Sequence, residues 1–340
     1  MQVSFVIPLL DNLALTRVCV DSLRATLPAA LTHEIILVDD GSTDGTRAWL
    51  ATLATPFRVV LNDRNLGYAT ANNRAAALAR GEFLALLNND LVLLPRWLEP
   101  MLAAHRALGP RAGLVGNLQL DARTAALDHA GIVINHQCKP VHDRTPPSHL
   151  ERVLRPTRRV PAVTGACLLI ERALWQQLGG FDEAFVNGGE DIDLCFRARA
   201  VGRVNAVALR SVVRHHISQS ANRKLRDEEN SFRLARRWGD ALARAARAPL
   251  LDWCRSYHEQ ALAEPRDAER ALARRAWLYA NRVSPTPPLA ALAAMHTALE
   301  IEFDRWEKLF LPARVPTPAS RRVLGPVTAQ IHRPEQPPGI

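Results

Sequence analysis

Residues 34–46 read Glu34-Ile35-Ile36-Leu37-Val38-Asp39-Asp40-Gly41-Ser42-Thr43-Asp44-Gly45-Thr46. The run from Ile35 to Val38 is wholly apolar, as in a strand covered on both faces. It stops at two adjacent aspartates and a Gly-Ser turn. Ser42, Thr43 or Asp44 can cap the helix expected to run to about residue 53. A buried strand that ends in acids and passes into a helix is half of a βαβ unit.

The same pattern repeats on either side. Val3-Ser4-Phe5-Val6-Ile7-Pro8 is a buried strand closed by proline, and helical spacing follows over residues 12–26. Residues 57–61 form a third strand. Asn65-Leu66-Gly67 is a turn, and residues 69–80 are an alanine-rich helix. Residues 83–87 form a fourth strand ending in Asn88-Asn89-Asp90, and Pro95 opens a helix to about residue 108. Strictly alternating strands and helices predict a parallel sheet with helices on both faces. Such sheets bind ligands beyond the C-terminal strand ends, where Asp39-Asp40 and Asn88-Asn89-Asp90 both stand.

From Gly113 the alternation breaks. Short strands are expected at 112–115, 131–134 and 162–170, with a His-, Pro- and Arg-rich loop over 136–159 long enough to be functional. A helix over 171–178 closes on Gly179-Gly180. Gly188-Gly189-Glu190-Asp191-Ile192-Asp193 then places three carboxylates at a loop-to-helix junction. Acids there also suit the helix dipole, which is the structural alternative for all three, and for Asp193 the preferred one. Strands near 204–208 and 212–213 precede His215-His216, and an arginine-rich helix spans 222–238. Helical segments are expected at 241–281 and 288–310, and a proline-rich, disordered tail at 311–340.

Oxygen ligands with an imidazole suit Mg²⁺ or Mn²⁺. A divalent ion on a diphosphate neutralises a leaving group, and a separate carboxylate can deprotonate an attacking hydroxyl. These parts suffice for group transfer from a nucleotide-activated donor. His129, His136 and His142 either shape an acceptor pocket or are ordinary histidines, and Trp97 and Trp175 are read as core.

In order, seven motifs are similar to those of family 2 glycosyltransferases, in the subset with bacterial rhamnosyltransferase-like enzymes. They are Val3–Pro8, residues 36–46, Arg64-Asn65-Leu66-Gly67-Tyr68, Leu87-Asn88-Asn89-Asp90, Thr164-Gly165-Ala166-Cys167, Gly180-Phe181-Asp182-Glu183 and Gly189–Leu194. The resemblance covers residues 1–220. It implies an α/β GT-A fold, a mostly parallel Rossmann-like sheet flanked by helices, with a C-terminal helical extension. The corresponding division is 1–240 for the transferase domain (1–115 nucleotide half, 116–240 catalytic half), 241–310 for the extension and 311–340 for the tail. It implies that Pro8, Asp39, Asp40, Asn65, Asn88 and Asp90 hold the nucleotide sugar. Asp90 and His215 would ligate a divalent metal, Mn²⁺ or Mg²⁺. Asp191 would be the catalytic base with Glu190 beside it, and Gly165 and His216 would lie on the acceptor side. The family inverts by single displacement. Its first DxD acid is here Asn88, which can ligate but brings no charge. The reaction implied is transfer of a sugar, rhamnose among the candidates, from a dTDP- or UDP-linked donor to a saccharide or lipid-linked acceptor in surface-polysaccharide synthesis. A catalytically inactive nucleotide- or glycan-binding module is the alternative.

Composition fits this and narrows it. The chain has 340 residues, 48% hydrophobic and 23% charged, with a formal net charge of +9 carried mostly by arginine. That balance suits phosphate-bearing partners. No nucleic-acid-binding motif accompanies it, so a nucleic-acid partner is not expected. The first strand lacks a GxGxxG turn, against a dinucleotide oxidoreductase. Five scattered cysteines without a CxxC pair argue against a disulfide framework and a structural zinc. The expected location is cytoplasmic, with peripheral contact at the inner membrane face allowed, and pairing of two copies through the C-terminal helices is allowed too.

Overall fold

The computed structural model describes residues 1–134, 139–216, 226–245, 254, 267–281, 283–286 and 288–311. The first half alternates as expected: β1 (Val3–Leu9), α1 (Leu13–Thr26), β2 (His33–Asp39), α2 (Thr46–Leu50), β3 (Phe57–Leu61), α3 (Tyr68–Leu78) and β4 (Phe83–Leu87). These strands lie parallel in the order β4-β1-β2-β3. The apolar runs are continuous because both sheet faces are covered. Val6, Ile36, Val38, Leu84 and Leu86 pack on one side with the alanines of α3. Phe5, Ile7, Ile35, Leu37 and Leu87 pack on the other with Cys19, Val20 and Leu23 of α1. Trp97 and Trp175 are buried in these two cores, as expected.

Among the described residues, the second half extends the sheet to ten strands with mixed direction. It comprises β5 (Leu91–Leu93), α4 (Leu98–Leu108), β6 (Ala112–Asp121), β7 (Leu127–His129), β8 (Ile132–Ile134), β9 (Pro140–His142), α5 (His149–Leu154), β10 (Thr157–Arg159), β11 (Cys167–Glu171), α6 (Arg172–Leu178), α7 (Glu190–Ala200) and β12 (Val204–His215). β11 inserts antiparallel between β4 and β6, and β12 lies parallel to β6.

The loop expected over 136–159 instead carries β9, α5 and β10, and two strand expectations change as well. The strand expected at 162–170 begins only at Cys167; Ala162 makes an isolated bridge to Ile132, and the turn between them carries Thr164 and Gly165. The two short strands expected at 204–208 and 212–213 are one strand. A register shift between Ala208 and Val212 interrupts the pattern without ending the strand. His215 therefore belongs to the sheet, opposite Leu91 of β5 and Asp121 of β6.

Among the described residues the helices α8 (Asp227–Ala245), α9 (Asp267–Ala280) and α10 (Leu289–Phe310) follow. α10 packs on α8 through Trp306 against Phe232 and Ala235, with Phe303 and Phe310 beside them. The tail 312–340, the stretch 217–225, His136 and Cys138 lie outside the described residues.

The α8–α10 seam also carries charge. Glu228 accepts hydrogen bonds from Trp306 Nε1 at 2.6 Å and from Lys139 Nζ at 3.1 Å, and it pairs with Arg305. Burial raises the Glu228 pKa, but the bonds from Trp306, Arg305 and Lys139 outweigh it and bring the carboxyl down from 4.5 to about 2. A depressed carboxyl contributes stability that is complete above its unfolded value and is lost as pH falls towards the folded one. The contact should hold at pH 5 and loosen between about pH 4.5 and 2. Tryptophan emission compared with that of Trp306→Phe measures this. A Trp306-specific change confined to pH above 5 would contradict it.

Candidate active site

The sheet brings Pro8, Asp39 and Asp40 together at the ends of β1 and β2, with Pro8 beside Val38 and Leu9 beside Asp39. The chain leaves β1 through Asp11 and Asn12, both left-handed at φ 53° and 59°. Non-glycine residues seldom adopt that conformation, and consecutive ones mark a loop held by its surroundings. The holding groups are visible. Asp11 Oδ1 accepts from the Thr43 N–H at 2.7 Å, and the Asp11 N–H donates to Ser42 Oγ at 2.8 Å. Gly41 has φ 89°, and a Cβ there would come within 2.7 Å of the Arg64 and Asn65 backbone, so only glycine lets the two loops meet.

Both aspartates are heavily engaged. Asp39, fully buried, accepts from the Ser42 N–H at 3.2 Å and from Arg47 Nε at 2.7 Å. Asp40 Oδ1 accepts from Asn62 Nδ2 at 2.7 Å and the Leu66 N–H at 2.9 Å; Oδ2 accepts from the Gly67 N–H at 2.9 Å. Asn65 Oδ1 accepts from that same N–H at 2.9 Å in an Asx turn. Each carboxylate oxygen has two acceptor sites, so Asp40 Oδ2 keeps capacity for a ligand.

The second cluster sits where β4 ends. Asp90 Oδ1 lies 3.1 Å from His215 Nε2, a close contact that is not aligned as a hydrogen bond. The His216 N–H donates to the Asp90 carbonyl at 3.0 Å, tying the β12 end to the turn. Asn89 Nδ2 donates to Thr16 Oγ1 at 2.9 Å. Asn88 Oδ1, Asp90 Oδ1 and His215 Nδ1 are buried atoms with no hydrogen-bond partner among the described residues. Buried polar atoms normally have partners, so orphans on Asn88, Asp90 and His215, residues that stand where β4 and β12 end, mark a place shaped for something else. The described residues hold no group of three or more His, Cys, Asp or Glu able to bind a metal. A metal here would be held by Asp90 and His215, with the neutral Asn88 carbonyl beside them. That donor set fits a hard divalent ion taking its other ligands from a diphosphate.

The third cluster opens α7. Gly189 is left-handed at φ 93°, and a Cβ on it would meet the Phe185 ring at 2.9 Å, so the tight entry requires glycine. Glu190 is buried and accepts from the Gly188 N–H at 2.9 Å. Asp191 Oδ2 accepts from the Gly165 N–H at 2.7 Å. Asp193 is spent on structure: it pairs with Arg197 at 2.7 Å and accepts from Trp238 Nε1 at 2.9 Å.

One turn joins the second and third clusters. Gly165 holds Asp191 through its N–H, and the Ala166 carbonyl accepts from the Asn88 N–H at 2.8 Å. Tyr68 completes the junction by donating its hydroxyl to the Gly165 carbonyl at 2.8 Å. Burial, and then the negative charges of Glu190, Asp191 and Asp90, hold the Tyr68 phenol well above its ordinary pKa. It stays a neutral donor amid three carboxylates.

Sequence reasoning assigned no role to Tyr68, Asn62 or Asp11. Only Tyr68 carried a signal, its place after the Asn-Leu-Gly turn at the start of α3. His129 is fully buried, edge-on to His142 at 4.9 Å, and His142 Nδ1 lies 3.1 Å from Asp128.

A family model described as glycosyl transferase family 2 matches residues 4–178. Over 211 residues the chain is 30% identical to an N-acetylglucosaminyl-diphospho-decaprenol L-rhamnosyltransferase of Mycobacterium tuberculosis, covering 56% of this chain and 68% of that protein. It is 35% identical over 237 residues to the O-antigen biosynthesis protein RfbC of Myxococcus xanthus, covering 66% of this chain and 18% of that one. The chain spans less than a third of the length of RfbC and of another curated relative. A crystal structure of GalNAc-T7 with UDP, GalNAc and Mn²⁺ superposes with a TM-score of 0.57 at 19% identity, covering 81% of this chain and 54% of that one. That likeness concerns the fold. No described helix is long and apolar enough to cross a membrane.

Proposed function

Because the chain belongs to glycosyl transferase family 2 and has the GT-A fold, we propose that it is an inverting glycosyltransferase. Its donor is a nucleotide-diphosphate sugar, dTDP- or UDP-linked, with rhamnose the leading sugar. Its acceptor is a hydroxyl of a saccharide or lipid-linked saccharide in cell-surface polysaccharide synthesis. The named relatives, one a rhamnosyltransferase and one an O-antigen protein, support this choice. The observation that carries it is the Gly165-Ala166 turn, which sets the Asp191 carboxylate beside the Asn88–Asp90 turn.

Pro8, Asp39, Asp40 and Asn65 form the nucleotide side. Asp40 Oδ2 meets the base with its remaining acceptor capacity, while Asp39 acts by holding the loop. Asp90 and His215 would hold Mn²⁺ or Mg²⁺, with Asn88 of the same turn as a neutral neighbour. When bound, the metal offsets charge on the departing diphosphate. Asp191 takes the proton of the acceptor hydroxyl as its oxygen bonds to the sugar's anomeric carbon. The carbon–oxygen bond to the diphosphate breaks on the opposite face, the nucleoside diphosphate leaves with that electron pair, and configuration inverts. Gly165 fixes Asp191, Glu190 shapes the loop before it, and Gly165 and His216 border the acceptor. A second reading, an inactive nucleotide-binding module, has Asn88 in its favour.

Thermal shifts with UDP, dTDP and GDP, each with and without Mn²⁺, test donor binding. A ligand at about a hundred times its dissociation constant stabilises by roughly 2.7 kcal/mol. One nucleotide should shift the melting point with Mn²⁺ and less without it. No shift with any of them would count against the donor site.

A further inference from the structure

We propose that α10 braces the site: Lys139, Glu228 and Trp306 are positioning residues that tie together the two supports of Asp191. The proposal rests on the transferase reading for the role of Asp191, and two of its three residues, Glu228 and Trp306, lie beyond the family match, which ends at residue 178.

The brace is a knot of three chain segments. Trp306 of α10 is almost fully buried and donates to Glu228, in the first turn of α8, at 2.6 Å. Lys139, at the head of β9, reaches Glu228 at 3.1 Å and Glu302 of α10 at 2.9 Å. Its ammonium lies 5.3 Å from the centre of the Trp306 ring. Arg305 pairs with both Glu228 and Glu302. An isolated surface pair contributes little, but a shared network around a buried indole fixes its members in one geometry.

Each arm of the knot leads to Asp191. Along the first, α8 backs the loop and helix that present it. Asn230 Nδ2 donates to the Val186 carbonyl at 3.0 Å, and Leu234 lies beside Gly189. Trp238 and Arg237 hold Asp193, two residues beyond Asp191, and Arg237 also holds Asp182 at 2.7 Å. Along the second, Lys139 precedes β9, which pairs with β8. Ile132 of β8 bridges to Ala162, three residues before the Gly165 N–H that holds the Asp191 carboxylate. The base is thus gripped from its helix and from the facing turn, and α10 joins the two grips.

The test compares Trp306→Phe, which removes the indole N–H together with one ring of a buried side chain, with Lys139→Met and Lys139→Arg in the 340-residue chain. It is run well below every variant's melting point. The probes are UDP, dTDP and GDP with Mn²⁺ for binding, and UDP-glucose, dTDP-rhamnose and GDP-mannose for donor hydrolysis. In Trp306→Phe and Lys139→Met, nucleotide dissociation constants should stay within about twofold while kcat falls about 10–100-fold, the scale of a small misplacement. Lys139→Arg should restore kcat. Lower melting points with unchanged kcat would overturn the proposal, since the knot would then serve stability alone. A joint loss of binding and turnover would overturn it too. Hydrogen exchange separates this from failure of the transferase reading. Should the wild type act on no donor, faster exchange in β8, β9 and residues 186–193 of Trp306→Phe, with β1–β4 unchanged, still supports the brace, and unchanged exchange overturns it.

Discussion

Asp191→Asn is expected to lower kcat by about 10²–10⁴, the usual worth of a positioned general base, while leaving nucleotide affinity within about twofold. The variant keeps the shape of the side chain and removes its basicity. The Gly165 N–H, 2.7 Å from Oδ2, can still bond to the amide oxygen, while the Ile192 N–H, 2.8 Å from Oδ1, loses its acceptor. The tie to the Gly165 turn should therefore survive, and the main loss should fall on the proton transfer. Steady-state turnover paired with calorimetric titration of the nucleotide separates the two. A kcat within tenfold of wild type would move the base elsewhere. Glu190 is the nearest alternative, but it is buried and accepts from Gly188.

Asp90→Ala should give the second large effect, with the opposite signature. Here the metal-dependent part of nucleotide affinity should disappear. Metal stabilisation of charge is worth several kcal/mol, so the loss should be about 10²–10³-fold in the presence of Mn²⁺. Without metal, wild type and variant should bind alike. The reasoning rests on the orphaned atoms: Asp90 Oδ1, Asn88 Oδ1 and His215 Nδ1 are buried without hydrogen-bond partners among the described residues. Asn88 brings no charge, so Asp90 is the one carboxylate of that turn. If Mn²⁺ sharpened nucleotide binding equally in both proteins, the metal would have to sit elsewhere.

The legible part of the fold was the part governed by burial. β1, β2 and β4 are covered on both faces, so their sequences are unbroken apolar runs, and the acids at their ends stand out. The Glu190-Asp191 junction showed for a related reason: two glycines precede an apolar helical pattern. Long-range geometry left weaker traces. The sequence of β12 reads as two strands because a register shift interrupts the pattern, although the ladder continues to His215. Asp39 and Asp40 read as open ligand groups, yet most of their bonds go to backbone amides and to Arg47 and Asn62, and a backbone amide has no sequence signature. Tyr68 gained its place only when the fold set the 165–166 turn opposite it. The apolar faces of the C-terminal helices were readable, but that Trp306 would meet Glu228 and Lys139 was not.

The most direct test of the proposed chemistry is the stereochemistry of sugar release. The purified protein would be given UDP-, dTDP- and GDP-sugars with Mn²⁺, and the anomeric proton followed by NMR before the free sugar mutarotates. The expected result is release from one donor with inverted configuration, abolished in Asp191→Asn. Release with retained configuration, or inversion that survives in Asp191→Asn, would contradict single displacement with Asp191 as the base.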